Sequence, residues 1–154
     1  KSEHNGAHDG RLVACPIQPR ADRVYQKVID NRIAAGLVED LRTPTLGGVP
    51  VCVFLKRRPV GDRFANLNTH VALAAPVDVF SREEIEAIGR FTRRLGLDWG
   101  GLDILRDRTD GRLYIVDANK TDMGPPTALP LADKIEATKM LARAVRNFMA
   151  DARV

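Results

Sequence analysis

The spacing of apolar and polar residues changes from one segment of the chain to the next, and those changes mark its elements. Leu37–Thr43 (LVEDLRT) and Val51–Leu55 (VCVFL) are β-like runs on either side of Gly47-Gly48, which predicts two strands joined at a turn. VCVFL is apolar at every position, so it should be a central strand covered on both faces. Leu102–Leu105 and Leu113–Val116 flank Thr109-Asp110-Gly111 and predict a second hairpin. Helical spacing begins after Ser81. Ser81-Arg82-Glu83-Glu84 has the capping-box pattern, Ile85, Ile88, Phe91 and Leu95 form a stripe, and Gly96 supplies the stop. A last helix is expected from Ala132 to Met149. Its apolar face would be Ile135, Thr138, Leu141, Ala142, Val145 and Phe148, with Arg143 and Arg146 near its C-terminal end, where cations suit the helix dipole.

Between these segments the pattern is punctuated. Lys1 to Arg20 holds Gly6, Gly10, Pro16 and Pro19 and reads as loop, with a short strand at Leu12–Cys15. Val24 to Ile29 fits a strand or a short helix, and Pro59 to Asn68 is an Arg- and Asn-rich loop. Strands in antiparallel-looking pairs with two main covering helices place the chain in the α+β class.

Composition narrows the function. The chain has 154 residues, 44% hydrophobic and 29% charged, the balance of a folded domain rather than a disordered tail. Its longest apolar run, Val49–Leu55, falls far short of the roughly 20 residues that cross a bilayer. No apolar leader is visible at the N-terminus, so a cytoplasmic location and no membrane partner are expected. The chain opens on Lys1 rather than Met and is expected to be a fragment. Lys plus Arg number 24 against 20 Asp plus Glu, a net +4 that fits a nucleic-acid surface, an anionic small ligand, or no charged partner at all. Aromatics are only 5%, and no basic run is interleaved with them for base stacking, so a nucleic-acid partner is not expected. Cys15 and Cys52 lack CxxC spacing and are read as two reduced thiols, although sequence leaves a bridge between them open.

The second hairpin carries the chemistry. With Thr109–Gly111 as a three-residue loop, Arg108 faces Arg112, and Asp103 sits opposite Asp117 with Asn119 two residues further on that face. A two-residue loop at Asp110-Gly111 would put the two acids on opposite faces. Facing carboxylates repel, and a divalent cation between them removes the repulsion. Two carboxylates and an amide oxygen suit Mg²⁺, with Mn²⁺ as a substitute. The plainer alternative is that both acids mark polar strand ends in solvent.

These residues resemble a family. The hairpin ending in Asp117-Ala118-Asn119 is similar to the closing motif of ATP-grasp ligases, and LGLDWGGLDIL to their segment carrying the other metal-binding acid, here Asp103. Upstream, Tyr25-Gln26-Lys27-Val28-Ile29 resembles the hinge that holds adenine, and Asp40-Leu41-Arg42 the strand start whose Arg contacts phosphate. Lys56-Arg57-Arg58 and Arg63 to Asn68 (RFANLN) resemble the basic strand and Asn-bearing loop over the phosphate site, and Lys1 the phosphate Lys before a flexible loop, Ser2 to Gly10.

The resemblance implies an ATP-grasp C-terminal lobe over residues 25–154, preceded by a remnant of the first lobe at 1–24. It implies ATP and Mg²⁺ as cofactors and metal ligands Asp103, Asp117 and Asn119. Nucleotide contacts would come from Lys1, Tyr25, Gln26, Lys27, Ile29, Arg42, Lys56 and Asn68, and phosphoryl-handling arginines would be Arg42, Arg58 and Arg63. The activity implied is phosphorylation of a small-molecule or peptide carboxylate, followed by attack of an amine or thiol. An ATP-grasp kinase, a non-catalytic nucleotide-binding module and a homodimer are the alternatives retained. Outside this pattern, His4 and His8 read as solvated loop residues, Trp99 as core packing, His70 as a strand or loop residue near the basic cluster, and Lys120 as either a phosphate contact or a surface charge.

Overall fold

The computed structural model describes residues 1–4, 9–65 and 67–151. An antiparallel sheet runs in the order β4-β3-β1-β5-β6, from β1 (Leu37–Leu46), β3 (Val53–Pro59), β4 (His70–Ala74), β5 (Trp99–Arg106) and β6 (Leu113–Asn119). The two-residue β2 (Val49–Pro50) pairs with the end of β1 and makes a sixth strand. The helices are α1 (Pro76–Val79), α2 (Arg82–Leu95) and α3 (Leu131–Asp151). This is the α+β architecture expected, with the short α1 added.

VCVFL lies where its composition requires. The strand begins later than expected and extends to Pro59, so Lys56, Arg57 and Arg58 belong to an interior strand of the sheet and not to its edge. Its alternate residues enter two separate cores. Val53 packs with Leu41, Leu102, Ile104 and Ile88 beneath α2, while Phe54 packs with Cys52, Val71, Leu129 and Ala137 beneath α3. The sheet is therefore sandwiched, with α3 lying over β4, β3 and β1 and its Phe148 reaching Gly47 in the turn after β1.

Helix α2 carries both halves of the capping box, and Gly96 ends it in the left-handed region at φ +66°. The face it buries differs from the expected stripe. Ile88, Gly89 and Thr92 are buried, whereas Phe91 and Leu95 are exposed. The reason is a close approach to the β1–β2 turn. A Cβ on Gly89 would stand 2.7 Å from the Gly48 carbonyl oxygen, so the helix leans on its smallest residue and rotates Phe91 outward. Helix α3 is likewise turned from its expected face. Ala137 is buried with Met140 and Leu141 half-buried, while Ile135, Thr138, Ala142, Val145 and Phe148 are exposed. Again a small side chain makes the approach. The helix also continues to Asp151, which leaves Arg143 and Arg146 outside its last turn.

Leu12–Cys15 forms no strand; Leu12 and Val13 are exposed, and among the described residues no neighbouring strand pairs with them. Val24–Ile29 is neither strand nor helix but irregular chain, joined to the N-terminus by reciprocal backbone bonds between Lys1 and Val24 of 2.9 and 3.2 Å.

The second hairpin reaches the expected pairing by another route. Asp107, not Arg108, pairs with Arg112, so Arg108–Gly111 is a four-residue loop with Gly111 at φ +72°. The pairs Arg106↔Leu113, Leu105↔Tyr114 and Ile104↔Ile115 follow that loop. Val116 is then an extra residue in β6, and beyond this bulge Asp103 faces Asp117 and Gly101 faces Asn119. The bulge restores the register that the longer loop shifts by one.

Candidate functional site

One cross-strand row crosses five strands: Leu73, Phe54, Arg42, Asp103 and Asp117 are successive partners from β4 to β6. Directly opposed residues share a face, so the row passes from the apolar patch beneath α3 to a polar end at β6. Beside it, Val71, Lys56 and Asp40 form a second row on the same face.

Arg42 is the centre of the polar end. Its Nη1 lies 3.3 Å from Asp103 Oδ2 and its Nη2 2.9 Å from Asp122 Oδ1. The Asp122 side chain is 1% exposed, and its other oxygen accepts the Gly124 amide at 3.2 Å. Gly101 makes the room, because a Cβ there would lie 2.6 Å from both Arg42 Cζ and Asp122 Oδ1. Asp122 is a part of the site that the sequence does not single out. Asp122-Met123-Gly124 carries the signal of a local side-chain turn, but nothing in it points to an arginine 80 residues earlier.

Asp103 Oδ1 is buried and has no hydrogen-bond partner among the described residues, a costly condition for a carboxylate oxygen. Across the strand, Asp117 Oδ2 accepts from Asn119 Nδ2 at 2.8 Å. Among the described residues no group of three or more His, Cys, Asp and Glu side chains gathers as a metal cluster. The donor set is therefore two carboxylates and an amide oxygen with one carboxylate oxygen unsatisfied. It fits a hard cation that keeps most of its shell in water or ligand oxygens, as Mg²⁺ does, and it does not fit a closed all-protein cage.

The other arginines are engaged elsewhere. Arg58 is 8% exposed; its guanidinium reaches Asp40 Oδ2 at 2.5 Å, Asn68 Oδ1 at 3.1 Å and the Arg63 carbonyl at 2.8 Å. Asn31 donates to Asp40 Oδ1 at 2.9 Å and accepts from Arg63, whose Nη2 also reaches the Ile29 carbonyl at 2.8 Å. Burial pushes the Asp40 carboxyl above its ordinary range, with the Arg58 charge opposing that rise. Lys56, half-buried opposite Asp40, makes no ion pair among the described residues.

The remaining site residues lie apart from this face. Tyr25 is exposed with its hydroxyl accepting the Arg20 amide at 3.1 Å, and Gln26 is exposed. Lys27 Nζ stands 3.6 Å from Asp107 and 5.2 Å from the Tyr114 ring centre, contacts that raise its pKa, first through the Tyr114 hydroxyl. Ile29 is buried, and its carbonyl accepts from both Asn31 and Arg63. Lys1 is exposed at the edge of the described N-terminal segment. Residues 5–8 of the Ser2–Gly10 loop, His8 among them, and Asn66 of RFANLN lie outside the described residues. Lys120 is exposed, and His70 opens β4 opposite Arg57. Cys15 and Cys52 are both free thiols.

No family model matches the chain, and no curated protein matches it. Two solved structures are similar to it. The ATP-grasp ligase PsnB complexed with a minimal precursor, Mg and ADP is 16% identical with a TM-score of 0.46, over 69% of this chain and 33% of that one. The same ligase with a phosphomimetic variant of the minimal precursor, Mg and ADP is 14% identical with a TM-score of 0.41, over 69% and 31%. This chain thus spans about a third of the length of the ATP-grasp ligase chains it is similar to.

Proposed function

We propose that this chain is the metal- and triphosphate-binding part of an ATP-grasp ligase, which activates a small-molecule or peptide carboxylate as an acyl phosphate for attack by an amine or thiol. One observation carries the reading: Arg42, Asp103 and Asp117 stand in a single row on one face, with an unsatisfied buried oxygen on Asp103. In this reading Asp103, Asp117 and Asn119 hold Mg²⁺ or Mn²⁺, and Arg42 and Lys56 face the phosphates. The bound cation supplies charge neutralisation at the phosphate oxygens. Arg58 and Arg63 act as positioning residues, since their donors already hold the 59–68 loop against β1 and the hinge segment. No protein nucleophile is required, because phosphoryl transfer depends on alignment and electrostatic stabilisation.

Calorimetric titration of the chain with Mg·ATP is the direct test. Asp103→Asn and Asp117→Asn should each weaken binding by about tenfold or more, equivalent to ~1.4 kcal/mol. Binding by both variants at wild-type strength would overturn the reading.

A further inference from the structure

Two residues without any assigned part, Gly101 and Asp122, are arranged around Arg42 as a seat. Gly101 lacks the Cβ that would occupy the guanidinium's place, and Asp122 grips Nη2 from a side chain that is 1% exposed. The seat aims Nη1 at Asp103 Oδ2, 3.3 Å away, while Oδ1 of the same carboxylate stays unpartnered. We propose that this seat makes Arg42 the resident counter-ion of Asp103, so that a divalent cation gains full use of Asp103 only in competition with Arg42. The inference rests on the metal-site reading above and concerns how that site is regulated.

The physical consequence is a coupling between cation and phosphate. A metal alone must share Asp103 with a positive charge that the protein holds in place. A phosphate oxygen that draws Nη1 away releases Asp103 Oδ2, and by linkage the metal then favours phosphate to the same degree. Asp122 keeps its bond to Nη2 in both conditions and so decides how readily Arg42 leaves.

Two variants free Asp103 without changing the net charge of the site, which separates this account from a simple effect of nearby charge. Gly101→Ala places a methyl group where the guanidinium sits, and the obstructed atoms are side-chain ends that can swing aside. The double variant Arg42→Gln/Asp122→Asn removes one positive and one negative charge together, leaving no half of the buried pair uncompensated. Binding of Mn²⁺ alone, read from the loss of the free-ion paramagnetic resonance signal, should tighten by about fivefold in each, the low end of typical coupling between sites. Asp103→Asn serves as the reference and should lose Mn²⁺ binding. Unchanged or weaker Mn²⁺ binding in both charge-neutral variants, with Asp103→Asn still impaired, overturns the counter-ion role alone. If Asp103→Asn binds Mn²⁺ as the wild type does, or the wild type binds none, the metal-site reading falls and this inference with it.

Discussion

Lys56 and Arg58 stand two residues apart on β3 and face the same side of the sheet, yet their surroundings give them different work. Arg58 spends its guanidinium on Asp40, Asn68 and the Arg63 carbonyl, whereas Lys56 makes no ion pair among the described residues. A basic run in a sequence shows the charges and hides this division, because the partners come from β1 and from a loop. The two cysteines are divided in the same way. Cys15 is exposed, while burial pushes the Cys52 thiol up to about 12, with the Asp122 carboxylate adding to the rise. Only the thiolate is nucleophilic, so Cys52 should be inert at pH 8. An aromatic disulfide reagent should therefore titrate one thiol in the folded chain and two after denaturation. Two fast equivalents in the native protein would contradict the packing around Cys52.

At the scale of elements, α2 shows what local sequence decides and what it leaves to packing. The capping box is confined to four residues, and it forms as written: Ser81 Oγ accepts the Glu84 amide at 3.3 Å, and Glu84 Oε2 accepts the Ser81 amide at 2.9 Å. Glu84 also receives two bonds from Arg106 of β5, which pins the helix start to the sheet. Those Arg106 contacts, ahead of the Ser81 amide, hold the Glu84 carboxyl below its ordinary range. Because the folded-state value is the lower one, the stabilisation is present above the ordinary carboxylate range and is lost as pH falls through the folded value. Glu84→Gln keeps a capping-box acceptor but loses the charge facing Arg106, and should lower stability at pH 7 by about 1 kcal/mol, with the deficit closing toward pH 3 in urea unfolding. A deficit of the same size at both pH values would rule out the ionised Glu84 as its source. Which face of α2 is buried was not legible, since it depends on Gly48 meeting Gly89, 41 positions apart by subtraction of their numbers. The Asp103–Asp117 pairing was legible only because the four-residue loop and the Val116 bulge offset one another. Asp122 was not legible, because its partner Arg42 is brought to it only by the sheet.

Across the whole molecule, one polar network adds side-chain ties between β1, β3, the loop after β3 and the segment entering the sheet. Arg58 links β3 to Asp40 of β1 and to the loop residues Arg63 and Asn68. Arg63 carries the connection to Ile29 and Asn31, and so to the segment entering the sheet. If that segment is a hinge, this network fixes its angle against the face that carries Arg42 and Asp103. Arg58→Met tests the tie. It removes the charge that opposes the burial of Asp40 and strips partners from Asn68 and the Arg63 carbonyl, while a linear apolar side chain keeps most of the volume. Breaking a buried pair from one side typically costs about 3–5 kcal/mol, so the variant should be much less stable at pH 7. The pH dependence fixes the cause. Without Arg58, burial and the Asp103 carboxylate act on Asp40 against the Lys56 charge only, and its folded-state pKa rises further above the ordinary carboxylate value. A group raised in this way favours the folded state fully below its unfolded value and loses that contribution as pH rises through the folded one. The deficit of Arg58→Met should therefore shrink between pH 7 and pH 4 in urea unfolding. It should also shrink at pH 7 when Asp40→Asn is added, because the uncompensated charge is then gone. A deficit independent of both pH and Asp40 would assign the loss to the loop contacts alone.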